Sequence, residues 1–133
     1  MEEDRQRIMD SVREYDDGTI DAVVARKMSE IAEMEATIEK EGPSRERMVL
    51  LKVMIEDSML YNMVRKLITA SEEEFEDVLR DIMPAFEADM DEVPRVVIDN
   101  YRRRLTEEQI LEEDRAMGYV DDIAGIVTGR CRA

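Results

Sequence analysis

From Arg45 to Ala70 the chain reads RERMVLLKVMIEDSMLYNMVRKLITA, about seven turns of helix at 3.6 residues per turn. Its large apolar residues are Met48, Val49, Leu50, Leu51, Val53, Met54, Ile55, Met59, Leu60, Tyr61, Met63, Val64, Leu67 and Ile68. A stripe that wide does not suit a helix lying on a surface; it belongs inside a bundle. This stretch therefore predicts a central apolar helix, about 45–70, surrounded by others. Gly42-Pro43-Ser44 gives it a sharp start, with Ser44 as N-cap.

The rest of the chain supplies helices to surround it. Residues 2–15 form a short charged helix with Ile8, Met9, Val12 and Tyr15 on one side. Asp16-Asp17-Gly18-Thr19 breaks it, Gly18 suiting the left-handed turn and Thr19 capping the next start. A second helix over 20–41 carries a large stripe (Ile20, Val24, Ile31, Met34, Ile38) and a small one (Ala22, Ala25, Ser29, Ala32, Ala36). Small residues let a neighbour approach closely, so this helix is expected to touch two others. Ser71 and Glu74 match a capping box for a helix with Phe75, Val78, Leu79 and Ile82 inward. Without Gly or Pro before Ser71, the central helix has the alternative of running straight on.

Pro84 ends or kinks that segment at Met83. Asp91 and Pro94 open another helix with Val93, Val97, Tyr101 and Leu105 inward. Thr106 and Gln109 make a second capping box, with Leu105 and Ile110 as its hydrophobic staple. Gly118 is expected to end that helix, leaving a weak apolar segment over 120–127 and a polar tail over 128–133. No strand-like alternation survives. The fold class is all-α: one compact multihelical domain of five to six helices over residues 1–127. A chain of 133 residues buries roughly two-thirds of its unfolded surface.

Charge narrows the function. A net −15 and a pI of 4.4 argue against nucleic-acid binding, which needs clustered cations, and against anionic membrane surfaces. Lys52, Glu56, Asp57, Arg65 and Lys66 interrupt the longest apolar run, so no segment reaches the roughly 18 residues of a membrane span. MEEDRQR has no signal-peptide apolar region, which predicts a cytoplasmic protein. The single cysteine, Cys131, excludes an internal disulfide, and the absence of histidine excludes His-based catalysis and metal ligation. Eleven methionines suit irregular helical packing and adaptable binding grooves. No cofactor is called for.

Three groups of residues are candidate sites. Asp57 projects into the apolar arc of Val49, Val53, Leu60 and Val64, where a carboxylate must be paired, neutralised or turned toward a partner. Its expected counter-ion is an arginine from another helix: Arg95, Arg102, Arg103 or Arg104. Those four arginines are also the basic patch of this acidic chain, with an external acidic partner or phosphate as the alternative.

Glu74 and Asp77 form an E-x-x-D step on one helix face, a spacing that can hold Mg²⁺. In that step the chain resembles all-α nucleotide pyrophosphatases of the MazG kind, which pair it with an E-x-x-E on the preceding helix. Glu30 and Glu33 have that spacing but lie two helices upstream. The acids around Asp89 and Asp91 lack the glycine of a calcium loop. Residues 44–82 resemble the helical domain of archaeal GINS replication subunits in the long helix ending in Arg65-Lys66-Leu67 and the acidic start with an aromatic, Glu72 to Phe75. That resemblance implies a replication subunit, although nothing after Pro84 matches the family's small β-domain.

No catalytic constellation emerges. The reading favoured is an accessory or assembly subunit working through protein–protein contact or self-association, with no nucleic acid and no membrane insertion. The alternatives are the Mg-dependent enzyme, an acidic nucleic-acid mimic and the replication subunit.

Overall fold

The computed structural model describes residues 2–87, 99 and 102–129. Within them lie five α-helices: α1 (Glu2–Arg13), α2 (Thr19–Glu41), α3 (Arg45–Thr69), α4 (Glu72–Glu87) and α5 (Glu107–Thr128). The all-α, multihelical fold is as the sequence indicates. The helix expected to open at Asp91, with Val93, Val97 and Tyr101, lies outside the described residues, as do Asp89, Arg95 and Cys131.

The boundaries are set by local chemistry. Gly18 takes the left-handed conformation (φ +87°) and α2 begins at Thr19. The N-cap is Gly18, not Thr19 as expected, and no side chain caps it; the Asp17 carboxylate just before it accepts from the Thr19 N–H at 3.0 Å. Gly42 (φ +91°) closes α2, its N–H reaching the Ile38 carbonyl at 2.8 Å. Ser44 then caps α3 by accepting from Arg47 N at 3.2 Å. The α3–α4 break is real. Ala70 is extended, and Ser71 Oγ accepts from Glu74 N at 3.3 Å.

Two expected stops are overrun. Proline removes one helical hydrogen bond and crowds the carbonyl four residues before it, here that of Arg80. Pro84 sits exposed in the last turn, with Ile82 and Phe86 anchored in the core on either side, so α4 continues to Glu87. Gly118 does not end α5 either. Ala116, Val120 and Ile123 are buried along one face spanning it, and this outweighs the roughly 1 kcal/mol helix penalty of glycine. The helix runs to Thr128 and ends at Gly129 in the left-handed conformation. The Thr106–Gln109 capping box is fully formed, with bonds of 3.1 and 2.9 Å.

Helix α3 contacts each of the other four helices. One core collects Met9 and Val12 from α1, Val23 and Val24 from α2, Tyr61, Val64 and Leu67 from α3, Phe75 and Ile82 from α4, and Ala116 and Ile123 from α5. A second, smaller cluster of Ile31, Met34, Leu50 and Met54 joins only α2 to α3. Among the described residues this distal part of the α2–α3 hairpin shares its buried side chains with no other helix.

Among the described residues α3 is only partly surrounded. Met48, Val49, Ile55 and Met59 remain exposed, because the neighbours of α3 cover only part of its wide apolar stripe. Helix α2 does touch two others, α3 and α5, but not through its small stripe: Ala22, Ala25, Ser29, Ala32 and Ala36 are all exposed and meet no other helix among the described residues.

Candidate functional site

The seam between α2 and α3 has two unlike sides. On the side facing α5, Lys27 of α2 is 2% exposed, and its Nζ reaches both Asp57 Oδ2 on α3 and Glu113 Oε1 on α5. The ammonium also lies 4.6 Å from the centre of the Tyr61 ring, a favourable cation–π placement. Arg26 binds the other oxygen of Glu113, donates to the Gln109 carbonyl at 3.3 Å, and lies 3.6 Å from both Glu30 and Glu112. Its Nε, though buried, has no hydrogen-bond acceptor.

A buried lysine needs such compensation, since an unpaired charge in the interior is very costly. Burial pushes the Asp57 carboxyl above the usual carboxylate range, while Lys27 pulls it back and Glu113 adds to the push. The Asp57 side chain keeps 30% of its surface in water, which limits that upward push. Tyr61 is held far above the ordinary phenol value, first by burial and then by the negative charges of Asp57 and Glu113.

Chemically the cluster is closed: the Lys27 ammonium is enclosed by Asp57, Glu113 and the Tyr61 ring, and both oxygens of Glu113 are occupied by Lys27 and Arg26, which leaves little room for a substrate. What the arrangement does is clamp α2, α3 and α5 together at one height.

The predicted counter-ion of Asp57 was an arginine; the structure supplies Lys27 instead. Arg102 pairs with Asp114 at 2.8 Å. Arg103 and Arg104 face solvent, with no carboxylate at salt-bridge distance among the described residues. The signal for Lys27 was present in the sequence. It projects into the stripe of Ile20, Val24, Ile31 and Met34, just as Asp57 projects into that of α3. Glu113 likewise shares a face with Ala116, Val120 and Ile123.

Glu74 and Asp77 lie exposed on α4, Asp77 3.8 Å from Arg80. Glu30 is turned toward Arg26, away from them. Among the described residues no three acidic or cysteine side chains gather into a cation-binding group.

The opposite side of the seam is open. A groove of about 520 Å³ runs between α2 and α3, lined by Val24, Ala25, Met28 and Ile31 on one wall and Ile55, Ser58, Met59, Asn62 and Arg65 on the other. Met28 and Met59 are 56% and 54% exposed over it, so each wall presents a large apolar side chain to water. None of the clamp residues lines it.

A second polar cluster ties the α1–α2 turn to α5. Asp17 accepts from Tyr119 and pairs with Arg115 at 3.2 Å, Tyr15 donates to Asp122, and the Tyr15 and Tyr119 rings meet edge to face at 4.9 Å. The Tyr119 hydroxyl, then the Thr19 bonds, hold Asp17 down to about 2.

Together these features define a helical bundle with a sealed ionic clamp and an open apolar groove. Comparison with protein-family models, curated proteins and solved structures finds no match. Among the described residues no helix is long and apolar enough to cross a membrane.

Proposed function

We propose that this chain is an assembly or accessory subunit that works by protein–protein contact, and that the contact is made by the open face of the α2–α3 hairpin. The observation that carries this is the row of Met28, Ile55 and Met59 exposed along the groove. Methionine side chains are flexible and polarisable and adapt to a partner's surface, and exposed apolar surface of this kind marks an interaction site. The ionic clamp supports the reading by holding the two helices rigidly from behind, so that the face is pre-formed and little ordering is needed on binding.

The test is a photo-crosslinking amino acid at position 59, with position 81 on the exposed side of α4 as control. Expressed in its native cells, the chain should form specific protein adducts from 59 and none from 81. Equal yields from both positions, or none from 59, would overturn the reading.

A further inference from the structure

The two most exposed methionines among the described residues, Met28 and Met59, stand on opposite walls of the groove. The chain has eleven methionines and neither histidine nor tryptophan, so apart from Cys131 its readily oxidised side chains are thioethers. Burial divides them. Met9, Met34 and Met54 are buried, whereas Met28 and Met59 are each more than half exposed. Met48 and Met117 are exposed as well but do not line the groove, and its other large apolar side chains, Val24, Ile31 and Ile55, offer a peroxide nothing to attack.

We propose that the groove is a site of methionine oxidation: a hydroperoxide converts Met28 and Met59 to sulfoxides with the fold intact, turning the face from apolar to polar. In each step the thioether sulfur gives an electron pair to the outer oxygen of ROOH. The S–O bond forms as the O–O bond breaks, and the leaving alkoxide takes the hydroxyl proton to become ROH. Sulfur is oxidised by two electrons and the peroxide is reduced by two, so no further reactant is needed.

Placement is what spares the fold. A sulfoxide is polar and disrupts a core where it is buried, but Met28 and Met59 already keep over half their surface in water. Met34 and Met54 belong to the small buried cluster between α2 and α3, where oxygen transfer has to wait for the hairpin to open. A polar sulfoxide on each wall would also weaken an apolar contact made there. That consequence rests on the contact reading above; the oxidation itself does not.

The test treats the purified full chain, Cys131 alkylated beforehand, with hydrogen peroxide and maps oxygen uptake at each methionine by mass spectrometry. Met28 and Met59 should be oxidised at least about tenfold faster than Met9, Met34 and Met54, with the thermal midpoint within about 3 °C of the untreated chain. On a hydrophobic-interaction column, retention should fall after treatment in the parent and in Met48→Leu/Met117→Leu. It should hold in Met28→Leu/Met59→Leu, because leucine keeps the volume and the apolar character without the sulfur. Equal rates at buried and groove methionines, unfolding on treatment, or the same loss of retention in all three chains would overturn the proposal. A photo-crosslinker at position 55, on the same face, separates the two readings. Adducts that form in untreated cells should disappear on peroxide treatment and persist in Met28→Leu/Met59→Leu. Adducts that survive treatment in the parent would overturn control of the contact by oxidation and leave the contact reading intact. No adducts at all would remove the contact reading, while the mapping and the retention still decide the oxidation site.

Discussion

Replacing Lys27 with methionine is the sharpest test of the clamp. The methionine fills most of the lysine's volume, so the change removes charge with little cavity. Breaking a buried pair by removing one partner costs about 3–5 kcal/mol, because the remaining charges lose their compensation. Two features pull the value toward the lower end. Glu113 keeps Arg26, and the Asp57 side chain remains 30% exposed and can rehydrate. Loss of the cation–π contact with Tyr61 adds up to about 1 kcal/mol. The expected loss is thus about 3 kcal/mol in urea unfolding at pH 7, or roughly 10 °C in Tm for a chain this size. Adding Asp57→Asn to Lys27→Met should recover about 1 kcal/mol or more, because it removes one of the stranded carboxylates. A loss below about 1 kcal/mol for Lys27→Met, or no recovery in the double variant, would refute the claim that this cluster is a buried, mutually compensated clamp.

Gly118→Ala should stabilise the fold by about 0.5–1 kcal/mol, since the site is helical, exposed and has no atom within 4 Å of an added Cβ; a thermal melt checks it. Phe75→Ala should cost about 3–5 kcal/mol in denaturant unfolding, the ring being 1% exposed at the meeting of the main core. Thr106→Ala should lose about 1 kcal/mol through its capping box, with the helical signal reduced first at the start of α5. Asp17, held at about 2 against 3.8 unfolded, contributes stability above the unfolded value that disappears as pH falls from about 4 to 2. Its carboxylate is more than a third exposed, so the effect should stay below about 1 kcal/mol, and Asp17→Asn should flatten that part of the acid-stability curve. Asp57 works in the opposite sense: raised above its unfolded value, it favours the fold at low pH and loses that contribution as pH rises through its folded value.

The helix starts were legible because their chemistry is local. Ser44 and the Thr106–Gln109 pair lie within a turn of the donors they satisfy, and the sequence contains everything needed to place them. The stops were legible only where the chain needed a left-handed residue, as at Gly42. Gly118 and Pro84 fail as stops for one reason: each acts locally, costing about 1 and about 3 kcal/mol, and tertiary packing of Val120, Ile123 and Phe86 decides the outcome. Asp57 is legible in the sequence as a carboxylate on an apolar face, and Lys27, the partner the structure gives it in place of an arginine, carries the same positional anomaly. The groove was the least legible feature. Apolar stripes show which faces want cover, but which of them the chain leaves bare depends on how its helices are arranged.

The division of the apolar interior into two clusters has a kinetic consequence. The distal half of the hairpin is held by four buried side chains shared between two helices, while the body draws on residues from all five. Segments with so few buried contacts open independently at free energies well below global unfolding. Amide exchange in residues 31–38 and 47–54 should therefore run ahead of that around Val64 and Phe75. A ligand seated along the groove covers 24–31 and 55–65 instead, so protection there with the tip still exchanging fast would separate occupancy of the face from tightening of the hairpin.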